Sequence, residues 1–194
     1  DAVITWPTAS SITYGQTLDL VGITLNYWFQ ASNVLGETYA LAVAERTEAV
    51  NADPDTLSNI YYKSSVADTP TPFVIKAGSI ILVHFQAMVD STTAGKTITL
   101  ATGLYYTDAD GTSNPVQIGA NSDPTGNLTA SKADYELHIH VANVTTVPAG
   151  KRLWLKFIAD PSTLLGYSPT VSVWDGSSFE HVTIPVSGSV LGRY

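Results

Sequence analysis

Residues 136–140 carry side chains whose types and spacing are suited to chemistry, because a glutamate and two histidines alternate there with apolar residues. Side chains two apart in a β-strand lie on the same face, so Glu136, His138 and His140 are predicted to project together. Two imidazoles and a carboxylate on one face are ligands suited to a transition metal. The alternative is a polar outer face on a half-exposed strand, since residues 142–145 add no carboxylate to complete a ligand set.

An acidic loop at residues 108–114 is the second candidate site. Its sequence, Asp-Ala-Asp-Gly-Thr-Ser-Asn, resembles the opening of a calcium-binding loop, with Asp108 and Asp110 as oxygen ligands. A complete EF-hand loop also needs a third oxygen ligand before the glycine and a bidentate glutamate at its end, and both are missing. The alternative is a hairpin turn built on Asp110 and Gly111. The sequence predicts no cofactor, and calcium at this loop is the alternative.

The motifs of hydrolytic and phosphate-binding enzymes are missing from the sequence. It has no Gly-x-Ser-x-Gly turn and no phosphate-binding glycine loop. Cysteine is absent, which excludes thiolate catalysis, Cys-based zinc sites and disulfides. We therefore predict that the protein is not an enzyme.

The composition restricts the partners and the location. Charged residues make up 13% of the chain, against about 25% in typical globular proteins, as is common in extracellular and virion β-proteins. A net charge of −8 with nine basic residues opposes binding to nucleic acid and to anionic membranes. No apolar run approaches the ~18 residues of a membrane span. Asp1 at the first position is interpreted as proteolytic maturation or as omission of preceding residues. We predict a virion, extracellular or cell-surface protein.

The elements that must position these side chains are β-strands. Alternation of apolar and polar residues dominates, turn residues separate the alternating segments, and no long amphipathic helix is present. This pattern predicts an all-β fold, an antiparallel β-sandwich of jelly-roll type. The predicted strands are 23–30, 38–47, 80–89, 97–107, 135–144, 152–159, 170–174 and 181–186, with shorter ones at 3–6, 17–20 and 115–118.

We predict a single domain over residues 1–194, with two irregular segments. Residues 1–15 are interpreted as an extended N-terminal arm or donor strand. Residues 48–72 contain three prolines and are interpreted as a long surface loop, with one helical turn around residues 55–61.

An internal similarity supports the sandwich. Residues 75–78 and 147–150 both end in Ala-Gly, and each glycine is followed seven residues later by a phenylalanine, Phe85 or Phe157. The spacing is consistent with two related Greek-key halves. It is equally consistent with a turn-and-strand motif that occurs twice without duplication of a half.

Two regions are predicted to take part in assembly. In strand 152–159, Trp154 projects outward between Arg152 and Lys156, where it can form a cation–π contact or meet another subunit. The N-terminal arm can complete the sheet of a neighbouring subunit by strand donation. The predicted assembly residues are Val3, Ile4, Trp6 and Trp154.

Several segments resemble known proteins. Residues 104–112, 147–153 and 180–185 resemble β-sandwich virion proteins of tailed phages, such as head-decoration and tail-fibre proteins. Residues 4–8 and 12–18 resemble the opening of bacterial Ig-like surface repeats. The resemblance to phage proteins implies a jelly-roll fold, a structural role and symmetric self-assembly. It does not imply a functional role for any particular residue. Secreted filament subunits use similar sandwiches.

These observations together predict a non-enzymatic structural protein that self-assembles, as a capsid-decoration or tail-fibre component of a phage virion. One alternative is a secreted subunit of a filament or surface layer, assembled by strand donation. A second alternative is a carbohydrate-binding module that uses Trp154, Trp174 and loop tyrosines. The predicted partners are further copies of the chain, other virion proteins or a glycan, and no nucleic acid.

Overall fold

A computed structural model describes residues 23–37, 44–65, 69, 71–91, 93, 95–176 and 179–187. Within these residues the chain forms thirteen β-strands and no helix, which confirms the all-β sandwich prediction. The strands are β1 (Ile23–Gln30), β2 (Val34–Gly36), β3 (Ala44–Ala49), β4 (Asp55–Ser64), β5 (Phe73–Ile75), β6 (Ser79–Val89), β7 (Ile98–Thr107), β8 (Val116–Ile118), β9 (Ala133–Val141), β10 (Thr145–Val147), β11 (Arg152–Pro161), β12 (Thr170–Asp175) and β13 (His181–Val186).

Strand β6 lies in the middle of the first layer. It pairs with β9 along one side, while β12 and β13 share its other side, and β3 and β1 extend the layer beyond them. The second layer consists of β4, β11, β7 and β8. Strand β2 joins the layers, because it pairs antiparallel with β1 and parallel with β4. Strands β5 and β10 form a separate two-stranded sheet.

Aromatic rings close the two layers on each other. Phe29 of β1 stacks on Tyr62 of β4 with ring centroids 4.2 Å apart, and Phe85 of β6 meets the edge of Phe157 of β11 at 5.1 Å. All four side chains are fully buried. Burial, followed by the nearby Asp175 carboxylate, holds the pKa of the Tyr62 hydroxyl far above its usual value. The alternation of apolar residues in the sequence therefore corresponds to one shared core.

The prediction that residues 48–72 form a surface loop is wrong, since the end of β3 and all of β4 lie within this range. The β4–β11 register shifts between Lys156 and Ile158, which marks a β-bulge. Because of this bulge, Leu57 and Ile60 are both buried although they are three residues apart. A three-residue spacing is typical of a helical turn, which is why the sequence pattern predicted a helical turn around residues 55–61 where the structure has a strand.

The carboxylate of Glu48, on β3, binds the backbone of β4 beside the bulge. It accepts hydrogen bonds from the amides of Ser58, Asn59 and Ile60, at 2.8, 2.8 and 3.3 Å, and from the Ser58 hydroxyl at 2.7 Å. One carboxylate therefore serves three consecutive amides. This contact ties the edge strand of the first layer to the second layer.

The sequence also predicted an N-terminal arm and no membrane span. The N-terminal arm of residues 1–15, with Val3, Ile4 and Trp6, lies outside the described residues. In the part of the chain that the structure describes, no helix has the length and apolar character needed to cross a membrane.

Candidate functional site

A row of polar and aromatic side chains crosses the outer face of the first layer. His84 of β6 pairs with Glu136 of β9 on one side and with His181 of β13 on the other, and Trp28 of β1 pairs with His181. The neighbours of these residues along each strand point into the core, so the alternation directs all four side chains outward. With His138, the next outward residue of β9, they form what we term the imidazole row.

Glu136 connects two imidazoles in this row. Its Oε1 lies 2.9 Å from His138 Nε2 and its Oε2 lies 3.3 Å from His84 Nε2. On the other side of His84, the ring of His181 stacks nearly parallel to it at a centroid distance of 4.6 Å. His181 Nδ1 lies 2.6 Å from the carbonyl oxygen of Phe179, to which it donates a hydrogen bond. The row is thus a continuous set of hydrogen-bonding and ring-stacking contacts across β9, β6 and β13.

The surroundings of His84 keep its imidazole neutral near pH 7. Burial lowers the pKa of His84 most, and the neighbouring imidazoles of His181 and His138 lower it further, whereas the Glu136 carboxylate acts in the opposite direction. By contrast, the side chains of Glu136 and His138 are 48% and 44% exposed, so solvent reaches the hydrogen-bonded pair. Imidazoles change their charge between pH 5 and 8, which suits the row to proton transfer.

The structure brings together only part of the predicted metal site. Glu136 and His138 are in contact, but His140 lies apart, and its nearest carboxylate is that of Asp123 at 3.9 Å. Across the described residues, no three His, Asp or Glu side chains are arranged to hold a metal ion. His84 and His181 were missed because they come from other strands, and strand order cannot be read from alternation. Metal binding by Glu136, His138 and His140 stays a prediction.

A surface cleft of about 350 Å³ adjoins His140. The polar residues Gln117, Asn143 and Thr145 are among those that line it. The cleft has room for a small polar molecule, but it lies apart from the Glu136–His138 pair.

Both carboxylates of the candidate calcium loop bind donors within the protein. Asp110 accepts hydrogen bonds from the amides of Thr112 and Ser113, both at 2.9 Å, and from the Ser113 hydroxyl. These bonds, led by the one from the hydroxyl, lower the pKa of Asp110 to about 2. Asp108 forms an ion pair with Lys151. The contacts are those of the hairpin alternative, and calcium binding stays a prediction.

Trp154 lies at the centre of a second outward surface, on the other layer of the sandwich. The ammonium groups of Lys156 and Lys63 lie 3.7 and 4.2 Å from its ring centroid, so Trp154 has the cation–π contact that its position beside Lys156 predicted. Tyr61 meets the indole edge at 6.2 Å, and Lys156 also lies 4.6 Å from the ring of Tyr105. We term these five residues the lysine–aromatic face. A role for Trp154 between subunits stays a prediction.

Comparison with known proteins identifies similar folds only. No family model matches the chain, and no curated protein matches it. A CocE/NonD family hydrolase from Staphylococcus aureus superimposes with a TM-score of 0.61 at 10% identity, over 87% of this chain and 37% of that one. An aminopeptidase from a Thaumarchaeota archaeon gives 0.59 at 10% identity, over 84% and 37%. An α-amino acid ester hydrolase gives 0.54 at 12% identity, over 84% and 36%.

These matches show a shared fold, and this chain spans little more than a third of each hydrolase. The VP2 subviral particle of infectious bursal disease virus matches with a TM-score of 0.32 at 11% identity, over 93% of this chain and 43% of that one, which is too low to carry an argument. A relation to tailed-phage proteins is not confirmed. Location in a virion or at a cell surface stays a prediction.

Two predictions about function are wrong. The chain was predicted to be a non-enzymatic structural protein of a virion, with a filament subunit and a carbohydrate-binding module as alternatives, and it was predicted not to be an enzyme. Four solved structures that share its fold with TM-scores of 0.54–0.61 are instead those of hydrolases. The prediction of a structural protein rested on the low charge of the β-sandwich and on the phage-like segments, and the prediction that the chain is not an enzyme rested on the missing hydrolytic and phosphate-binding motifs.

Proposed function

We propose that the chain forms the β-sandwich part of a hydrolase that cleaves ester or amide bonds. The observation that carries this proposal is the agreement in fold with three hydrolases over 84–87% of the chain. The matched proteins are named for action on amino acid esters or as an aminopeptidase, and both reactions are hydrolyses of acyl derivatives. Because the sandwich spans about a third of each, the proposed activity is that of the whole polypeptide that contains it.

Within such an enzyme, we assign the transfer of a proton to the imidazole row. A general base must be within hydrogen-bonding reach of the proton that it removes, and it must be uncharged at the working pH. A carboxylate hydrogen-bonded to an imidazole orients the ring and stabilises its charged form. His138, held at 2.9 Å by Glu136 and open to solvent, has the orienting carboxylate and the access to substrate that this role needs, and His84 contacts the other oxygen of the same carboxylate at 3.3 Å.

Hydrolysis of p-nitrophenyl acetate and of alanine p-nitroanilide tests the proposal, with the natural polypeptide that contains this chain. We expect release of p-nitrophenol or p-nitroaniline above the rate in buffer. His138→Gln should lower kcat/KM by about 10²–10⁴-fold, the usual contribution of a general base. His140→Gln is the matched control, since His140 lies on the same strand and its nearest carboxylate is 3.9 Å away. The control should retain full activity.

Two outcomes would contradict the proposal, and they are distinguishable. If the polypeptide releases neither product above the buffer rate, the assignment as a hydrolase is wrong. If hydrolysis occurs but His138→Gln matches the parent protein, the sandwich belongs to a hydrolase and the role of the imidazole row is wrong. Circular dichroism of each variant shows that the fold is intact.

A further inference from the structure

Two like charges converge on one indole ring in the lysine–aromatic face. In the register of the second layer, Trp154 of β11 lies between Lys63 of β4 and Tyr105 of β7, and Lys156 is the next outward residue of β11. The ammonium groups of Lys63 and Lys156 therefore lie 4.2 and 3.7 Å from the same ring centroid. The charge of Lys63 opposes that of Lys156, so the arrangement favours a negative charge beside them.

The described part of the chain does not supply that negative charge. Arg46 pairs with Asp175, and Lys151 pairs with Asp108, but neither Lys63 nor Lys156 forms an ion pair with a described carboxylate. The lack of a carboxylate beside these two lysines contrasts with the net charge of −8 of the chain. Burial lowers the pKa of Lys156, and the charge of Lys63 lowers it further, so a bound anion would offset the repulsion between the two lysines.

The rings around the two lysines define the kind of anion that fits. Trp154, Tyr61 and Tyr105 present aromatic surface beside the ammonium groups, which suits a planar organic group attached to the charge. We propose that the lysine–aromatic face binds small organic carboxylates, with Lys63 and Lys156 holding the carboxylate and Trp154 packing against the organic group. Carboxylates are what cleavage of an ester or amide releases, although the site is separate from the imidazole row and does not rest on the proposed activity.

Titration with benzoate, followed by calorimetry at low salt and pH 7, tests this site in the full chain. Benzamide is the matched neutral probe, since it has the same ring and no charge. We expect saturable binding of one benzoate, with benzamide binding at least about tenfold more weakly. Added salt should weaken the binding of benzoate, because the attraction is between charges.

Variants locate the binding. Lys63→Gln and Lys156→Gln should each weaken benzoate binding at least about fivefold and leave circular dichroism unchanged. Lys132→Gln is the control, because Lys132 lies 4.7 Å from the ring of Trp174 as a single cation on a different tryptophan. The control should bind benzoate as the parent chain does.

The site is wrong if benzoate does not bind saturably, if benzamide binds equally well, or if both lysine variants retain full affinity. Loss of affinity in Lys132→Gln alone would also contradict it, by moving the binding to Trp174. A failure of the hydrolysis assay leaves these outcomes unaffected, so the two proposals stand or fall separately.

Discussion

His84 lies in an environment that opposes its protonated, charged form. Only 20% of its side chain is exposed, and it faces two further imidazoles, those of His181 and His138, against the single carboxylate of Glu136. Its pKa is lowered from 6.5 in the folded protein, so the unfolded chain binds more protons in the range just below that value. Protonation of His84 therefore favours the unfolded chain. The free energy of unfolding is unaffected by His84 well above pH 6.5, and it decreases as the pH falls below that value.

Urea unfolding at pH 7.5 and at pH 5.5 checks this effect. The parent chain should lose stability between the two pH values, and His84→Gln should lose less, because glutamine does not titrate. The other titratable groups are present in both proteins, so the difference between the two proteins reports His84 together with its interactions with His181, His138 and Glu136. An equal loss in the two proteins would show that its protonation is not opposed in the folded state.

At the level of single residues, the sequence predicts what lies along one strand and not what lies across strands. The contact of Glu136 with His138 follows from their spacing of two in β9, and the outward position of Trp154 follows from the same rule in β11. The partners His84 and Lys63 lie on other strands. Their contacts depend on strand order and register, which alternation does not specify.

Among the strands, the β3–β4 contact is the one that depends most on a single side chain. The Glu48 carboxylate satisfies three amides of β4 at the bulge. Glu48→Ala should therefore destabilise the protein by about 1–3 kcal/mol, because the amides lose a charged acceptor. Glu45→Ala is the matched control on the same strand, where the side chain is exposed, and it should change stability by less than about 0.5 kcal/mol.

Urea unfolding measures both changes, and hydrogen exchange at the Ser58, Asn59 and Ile60 amides reports the local effect. Exchange at these amides should accelerate in Glu48→Ala and not in Glu45→Ala. Equal stability of the two variants would mean that the bulge is held by β11 alone.

The internal similarity in the sequence corresponds to a structural relation between β6 and β11. Gly78 and Gly150, which precede these strands, have φ values of 80° and 73°, in the left-handed region that favours glycine. The two phenylalanines that follow at the same spacing, Phe85 and Phe157, meet in the core at 5.1 Å. The repeated turn and strand therefore place matching side chains on opposite layers, whereas β4, with its bulge, gave no comparable pattern.

Across the whole molecule, the two outer faces differ in chemistry. The face of the first layer presents imidazoles and a carboxylate, and the face of the second layer presents lysines on aromatic rings. Composition and alternation predicted the sandwich, because both layers must bury their apolar sides. They did not predict the function, since a β-sandwich with few charges occurs in proteins of unrelated roles, and function depends on the site and not on the fold.

The dependence of p-nitrophenyl acetate hydrolysis on pH, measured from pH 5 to 9 with the natural polypeptide, bears most directly on the proposed hydrolase. If an imidazole acts as the base, kcat/KM should rise as that imidazole loses its proton and become constant at higher pH. His138→Gln should abolish this rise. A rate that matches buffer, or that increases in proportion to hydroxide throughout the range, would contradict the proposal.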